Sequence, residues 1–282
     1  MGKYAIETRD LEYRYEDGTK ALDGVNFCAE VGKITGILGA NGAGKSTLFL
    51  NLNGVLTPAS GQVTLNGEAV RYNRQGIAQL RKEVGIVFQD PDNQLFSADV
   101  YRDISFGPVN LGLSTQEVRR RVEWAMEQTG VTHLRDKPTH ALSYGQKKRV
   151  AIAGVLAMEP KVIILDEPTA GLDPQGVSSV MHLLSDIRDR MGISIVIATH
   201  DMDIVPLYCD YAYLLSEGKV QAQGTPEELF ARPEILRGNH LRLPRIAHLM
   251  EILREEDGLS TQAGIATIAQ ARKEIKNMLQ EH

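Results

Sequence analysis

The residues with the plainest chemistry are Gly39, Ala40, Asn41, Gly42, Ala43, Gly44, Lys45, Ser46 and Thr47. They fit the phosphate-loop pattern G-x-x-x-x-G-K-[ST] at every fixed position. Glycines let backbone N–H groups turn inward around a phosphate with no side chain in the way. A helix starting near Lys45 adds unpaired N–H groups and the positive end of its dipole. Lys45 is long enough to reach the β- and γ-phosphates of a nucleotide, and the Ser46 hydroxyl suits a magnesium ion. The bland alternative is a Gly-rich strand-to-helix turn that binds nothing. The Lys-Ser-Thr run and the flanking elements favour a nucleoside triphosphate site.

More polar groups sit just beyond short apolar runs. Gln89 follows Val84–Phe88, Asp166 and Glu167 follow Lys161–Leu165, and His200 comes shortly after Ile193–Ala198. The phosphate loop itself follows Lys33–Leu38. Each group has a structural reading when taken singly. Asp166 and Glu167 make a solvated pair at a strand end, Gln89 caps a turn, and a lone histidine is usually structural. Tyr15 ends a strand, where it either stacks on a base or is an ordinary strand aromatic. Ser143 and Gln146 either form an S-x-x-Q capping box that only starts a helix or belong to a site with Tyr144 and Gly145.

The elements that must position these residues read as follows. Residues 4–15 and 21–30 are strands joined through Asp17-Gly18, an antiparallel pair ahead of the phosphate loop. Gln62–Leu65 is a further strand, with the Asn66-Gly67 turn after it, and Ile77–Lys82 is helical. Residues 100–158 are mostly helical. Ser114 with Glu117 makes a capping box for a helix to about Thr129, and a second helix runs from Leu142 through Met158. Asp173 is an N-cap with Pro174 at the first helical position, and Gly192 stops that helix. Strands near Tyr211–Leu215 and Lys219–Gln223 follow, then a helix capped at Thr225. Strands alternating with helices imply a mainly parallel sheet with helices on both faces. Ligands of such sheets sit at the carboxyl ends of the strands. Gly39, Gln89, Asp166 and His200 all lie there, so they converge if their strands are neighbours.

Composition narrows the classes. A length of 282 residues allows one large domain plus an appendage. A net charge of −5 gives no sign of a nucleic-acid-binding protein. Cys28 and Cys209 lack metal-ligand spacing and read as buried free thiols in a reducing compartment. No secretory segment and no bilayer-spanning run is visible, so a membrane role would come through a partner. Residues 241–282 hold two amphipathic segments, Ile246–Glu255 and Ile265–Leu279, either a packing appendage or a dimerisation element.

Taken together, the motifs resemble those of the ATP-binding cassette ATPases over residues 4–230. The phosphate loop matches Walker A, Gln89 the Q-loop, and Leu142-Ser143-Tyr144-Gly145-Gln146 the signature usually written LSGGQ. Val162–Glu167 matches Walker B, Gly171-Leu172-Asp173 the D-loop, His200 the switch histidine and Tyr15 the aromatic A-loop position. Tyr144 stands where glycine is usual, a departure that touches fine geometry. Phe88–Phe96 and Asp103–Pro108 resemble the energy-coupling factor importers. Gly145–Gly154 and Leu243-Pro244-Arg245-Ile246 look most like their cobalt-type members; nickel and vitamin systems use similar ATPases.

The resemblance implies an α/β phosphate-loop NTPase with a RecA-like, mainly parallel sheet, an antiparallel β subdomain and a helical subdomain at about 97–158. The nucleotide-binding domain would span 1–235, with a helical extension at 236–282. It implies ATP and Mg2+ as ligands and two ATPase subunits head to tail, a homodimer being favoured. Lys45 and the loop amides would hold ATP. Ser143, Gly145 and Gln146 of the other subunit would close over its γ-phosphate. Ser46, Gln89 and, through water, Asp166 would hold magnesium. Glu167 would polarise the attacking water and His200 would contact the γ-phosphate. Residues 90–106, with Leu95, Phe96 and Phe106 exposed, would receive coupling helices from a membrane subunit, or else simply pack the helical subdomain. A substrate-binding membrane subunit would complete an importer, with this chain peripheral on the cytoplasmic face. His133, His140, Asp90 and Asp92 are not assigned as cobalt ligands, because the family's ATPase does not bind its cargo and their spacing is unconvincing. The competing readings are a soluble cassette protein working on DNA or ribosomes, and an exporter. The first usually carries a long coiled-coil insertion or two cassettes in one chain, and neither is visible in this sequence.

Overall fold

A computed structural model describes residues 3–280. Residues 1–2 and 281–282, the outer ends of the two expected segments, lie outside the described residues. Strands β1 (Tyr4–Arg14) and β2 (Lys20–Glu30) pair antiparallel, and the turn between them holds Gly18 at φ 89°. Then come β3 (Ile34–Leu38), α1 (Lys45–Leu52), β4 (Ser60–Leu65), the short β5 (Glu68–Ala69), α2 (Arg74–Glu83) and β6 (Val84–Val87). Three helices follow, α3 (Val100–Asn110), α4 (Thr115–Thr129) and α5 (Tyr144–Leu156). The chain returns through β7 (Val162–Asp166), α6 (Pro174–Met191), β8 (Ser194–Thr199), α7 (Val205–Tyr208), β9 (Tyr211–Ser216) and β10 (Lys219–Gly224). It ends in α8 (Pro226–Phe230), α9 (Pro233–Gly238), α10 (Arg245–Glu255) and α11 (Ile268–Met278).

Two sheets form. One is antiparallel, in the order β2-β1-β4-β5; the other runs β10-β9-β3-β8-β7-β6. In the second, β9, β3, β8, β7 and β6 are parallel and only the edge strand β10 is antiparallel. The expected parallel sheet is therefore present, with β3, β8 and β7 side by side.

The central strands are apolar throughout because both faces are covered, as parallel sheets require. Alternate residues go to different sides. Ile34 and Leu38 of β3, Ile163 and Leu165 of β7, and Ile195 and Ile197 of β8 join the core that contains residues of α3, α4, α5 and α6. Ile37, Val162, Ile164, Val196 and Ala198 join the core shared with α1 and the antiparallel sheet. A one-residue slip would exchange these two sets, so the register is fixed by burial on both sides.

Local sequence chemistry sets the helix ends, with some differences from expectation. Ser143 and Gln146 form a complete capping box at α5, as do Thr225 and Glu228 at α8. At α4 only half a box exists. The Ser114 hydroxyl accepts from the Glu117 amide, but the Glu117 carboxylate takes Arg120 and Arg121 instead, each at 2.7 Å. Two guanidinium groups outcompete one backbone N–H for a carboxylate. The last helix begins at Ile268 rather than Ile265, because the Thr267 side chain caps Gln270 N. Leu95, expected to be exposed, is half-buried against the helical core, whereas Phe96 and Phe106 are 66% and 51% exposed. Cys209 is buried as expected, but Cys28 is only half-buried and its thiol lies 3.0 Å from the Tyr213 hydroxyl. Among the described residues no helix is long and apolar enough to cross a membrane.

Candidate functional site

The phosphate loop leaves the carboxyl end of β3 and enters α1, whose first amides have no side-chain cap. Uncapped N–H groups at a helix N-terminus are an anion site. Two glycines are required sterically. Gly44 has φ 105°, and a Cβ there would lie 2.7 Å from the Ala21 carbonyl oxygen. A Cβ on Gly39 would come within 2.4 Å of the Leu215 carbonyl oxygen. The loop is thus wedged between the start of β2 and the β9–β10 hairpin, which also bonds it directly through Gly218 N to Ala43 O at 3.0 Å.

Lys45 folds back over this loop. Its ammonium donates to Gly39 O at 2.8 Å and to Ala40 O at 3.1 Å, and the residue is buried. Burial pulls the Lys45 ammonium below the usual lysine range, opposed by the charges of Glu167 and Asp166. Next to it, the Ser46 hydroxyl donates to Asp166 Oδ2 at 2.6 Å, joining the first turn of α1 to the end of β7. Glu167 follows in the left-handed region, at φ 46°. That strained backbone turns its buried carboxylate so that Oε1 lies 2.8 Å from His200 Nδ1, beyond the end of β8.

A cavity of 460 Å³ opens over these groups. Tyr15, Asn41, Gly42, Ala43, Gly44, Lys45, Ser46, Thr47, Gln89, Asp166 and Glu167 line it, all expected from sequence. Tyr15 is 41% exposed, and its hydroxyl lies 2.9 Å from Thr47 Oγ1. Gly39 and Ala40, also expected, are not part of its lining, and their carbonyls accept from Lys45. His200 reaches it through Glu167. The cavity lining does not include Ser143, Tyr144, Gly145 and Gln146 at the start of α5, nor Asp173 at the start of α6. There the Asp173 carboxylate caps Gly176 N at 2.7 Å.

Sequence reading missed part of the wall. Thr19, Lys20 and Ala21 reach the cavity from the β1–β2 hairpin, and Glu217 and Gly218 from the β9–β10 hairpin. No residue pattern marks them; only the pairing of distant hairpins brings them there. Lys148 was missed as well, although it is almost completely buried and donates to the backbone oxygens of Gln89 and Glu167.

A phosphate loop at the end of a central parallel strand, with acidic groups on the next strand but one and a histidine between, defines a phosphate-loop nucleoside triphosphatase. The family model for ABC transporters matches residues 22–170. The energy-coupling factor transporter ATP-binding protein EcfA3 of Clostridium perfringens is 58% identical over 98% of this chain and 97% of its own. Among solved structures, cbiO1 of Clostridium perfringens, part of the ABC transporter complex cbiONQ, is 59% identical. It superposes with a TM-score of 0.78 over 89% of this chain and all of that one. A dimeric ATP-binding cassette in a post-hydrolysis state with ADP and Pi is 25% identical, with a TM-score of 0.70 over 78% of this chain and 98% of its own. The chain belongs to the ABC family of ATPases, among the ATP-binding subunits of energy-coupling factor transporters.

Proposed function

We propose that this ATPase drives an energy-coupling factor importer whose cargo is a transition-metal ion, cobalt before nickel or a vitamin. One observation carries the mechanism: Lys45, the Ser46–Asp166 pair and Glu167 line one cavity at the ends of β3 and β7, and His200, beyond the end of β8, contacts Glu167 from outside its lining. The cobalt assignment draws support from Gly145–Gly154 and the tail Leu243-Pro244-Arg245-Ile246, which look most like the cobalt-type members. The 59% identity to cbiO1, part of the ABC transporter complex cbiONQ, supports a place in a transporter complex.

Each residue has a role in this reading. Lys45 and the amides of residues 39–47 hold the phosphates, and Tyr15 stacks on the adenine. Ser46, Asp166 and Gln89 offer only oxygen donors within one cavity, which fits a hard cation such as Mg2+. Magnesium, when bound, neutralises charge on the phosphates. Glu167 orients the attacking water and accepts its proton. His200 holds Glu167 in place and faces the γ-phosphate. Catalysis is then mostly positioning and charge stabilisation.

The signature residues Ser143, Tyr144, Gly145 and Gln146 act on the ATP of a second subunit, with Asp173 beside them. A homodimer with two equal sites follows from the complete residue set. Residues 1–235 form the ATPase unit, with the helical subdomain at 97–158, and 236–282 form an extension that helps the two copies associate. Exposed Leu249, Ile268 and Leu279 on that extension suit such a contact. Membrane subunits, one coupling and one substrate-binding, dock at the groove beside Phe96 and Phe106, whose rings meet edge to face at 4.7 Å. The chain thereby sits on the cytoplasmic face of the membrane. Nucleic acid has no place in this scheme.

The test is reconstitution with its membrane subunits in proteoliposomes. ATP-dependent accumulation of radiolabelled Co2+, absent with Glu167→Gln, is the expected result. Accumulation of Ni2+ or a vitamin without Co2+ would move the cargo, and ATP turnover stimulated by nucleic acid instead would overturn the transport reading.

A further inference from the structure

We infer that Lys148, assisted by Tyr144, is a positioning residue for hydrolysis: it fixes the backbone of Glu167 and of Gln89 from the first turns of α5. This rests on the assignment of Glu167 as the group that activates water.

Lys148 is 1% exposed, which is rare for a lysine and calls for a structural reason. Its ammonium has two oxygen partners, Gln89 O at 2.6 Å and Glu167 O at 3.1 Å. Both partners are main-chain carbonyls of residues that line the nucleotide cavity. They come from different strands: Gln89 follows β6, and Glu167 follows β7. A single cation on a helix therefore ties the ends of two neighbouring strands together.

The residue it holds is under strain. Glu167 sits at φ 46°, a region costly for a side chain of this size and kept only where surroundings enforce it. Its N–H donates to Ala198 O at 3.1 Å, and its C=O receives Ala170 N at 3.1 Å as well as Lys148. Both ends of the peptide are thus clamped, and the carboxylate direction follows from the backbone they fix.

Tyr144 completes the junction. It lies one turn before Lys148, on the same helix face. The Lys148 ammonium stands 5.7 Å from its ring centre, and its hydroxyl donates to the same Gln89 oxygen at 3.3 Å. The ring also rests against Gly171, which has φ 76° and where a Cβ would come within 2.9 Å of it. Beside it, Lys147 pairs with Asp92 at 2.5 Å. The start of α5 therefore grips residues 89–92, Glu167 and Gly171 at once. A displacement of residues 89–92 is transmitted to Glu167 through one ammonium group.

The experiment compares Lys148→Met, Lys148→Arg, Tyr144→Phe and Glu167→Gln in the full-length protein. Phosphate release, titration with a fluorescent ATP analogue and the thermal midpoint are read for each. A misplaced catalytic group costs on the order of 100-fold. Lys148→Met is expected to lower kcat by roughly that factor, with KM and analogue affinity little changed; Lys148→Arg restores much of it, and Tyr144→Phe has a smaller effect. Wild-type kcat in a folded Lys148→Met protein, while Glu167→Gln is inactive, overturns the inference and leaves the catalytic assignment standing. Activity retained in Glu167→Gln overturns that assignment instead. A Lys148→Met protein that loses analogue binding and fold together, with no recovery in Lys148→Arg, shows a packing role only and also overturns it.

Discussion

Replacing Glu167 by glutamine removes one negative charge and keeps the volume of a buried side chain. Oε1 lies 2.8 Å from His200 Nδ1, and the amide retains a partner for that nitrogen. It cannot accept a proton from water. A positioned acid or base contributes about 10²–10⁴-fold to rate, which is about 2.7–5.4 kcal/mol of barrier. The effect on binding has the opposite sign. The cavity must accept a polyanion beside the Asp166 and Glu167 carboxylates, with Lys45 facing both. Losing one carboxylate reduces repulsion, so ATP affinity holds or rises. The assay is phosphate release under steady-state and single-turnover conditions, alongside analogue titration and a thermal melt. The expected result is a fall in turnover within the stated range, with an equal or lower Kd and an unchanged fold. Turnover within about threefold of the parent lies outside the range for a lost base and would refute the role of Glu167.

Other expectations follow from the same geometry. Lys45→Ala removes a buried ammonium already oriented by Gly39 O and Ala40 O. A charge-assisted bond is worth about 1.5–3 kcal/mol, so analogue binding should weaken roughly 10- to 150-fold, and an unchanged titration would count against the phosphate loop. Tyr15→Ala should cost about 1–3 kcal/mol of nucleotide affinity if the ring stacks on the base. Tyr15→Phe loses only the 2.9 Å contact with Thr47 and should bind like the parent; equal losses in both would assign the effect to the hydroxyl. In the C-terminal extension, Glu251 is 7% exposed and meets Arg237 through two bonds of 2.6 and 2.8 Å. Arg237 holds its carboxyl below the ordinary value of 4.5. A carboxyl lowered by folding stabilises fully above its unfolded value and loses that contribution as pH falls through the folded one. Arg237→Ala should therefore shift acid unfolding, followed by circular dichroism, to higher pH; superimposable titrations would remove Glu251 from the acid response.

The sheet was legible because each central strand is a run of apolar residues ending at a polar group. Burial on both faces demands such runs, and a functional edge demands such ends. Ile163–Leu165 followed by Asp166 and Glu167 carries both signals in one stretch. Short elements were not legible: β5, α7 and α9 have two, four and six residues, too few to show a period. The half-formed box at α4 was misread because Arg120 and Arg121 compete for Glu117, and such competition is invisible in a four-residue pattern. Lys148 was illegible for a different reason. In a Lys-Lys-Arg run it has the composition of a solvated helix face. Its helical spacing from Tyr144 suggests a shared face, but not that this face is turned to the ends of β6 and β7.

The placement of α5 also bears on the proposed dimer. Its first turn is capped by its own residues, Gln146 N on Ser143 Oγ at 3.4 Å and Ser143 N on Gln146 Oε1 at 3.0 Å. The same turn is absent from the cavity that holds Lys45 and Glu167. Gly145 faces open space apart from Leu172, 3.6 Å from where a Cβ would be. A helix N-terminus presented outward, with a bare glycine at its tip, suits an anion brought by another molecule. One turn later the same helix holds the chain's own Glu167 through Lys148. In the proposed head-to-tail dimer, contact of the signature turn with the partner's ATP would therefore bear on the backbone of the catalytic residue of its own site. The two sites would be coupled through a rigid helix. That coupling predicts that mixed dimers carrying one Lys148→Met subunit lose more than half of the parent turnover. Turnover at half or above in such dimers would mean that the sites fire independently.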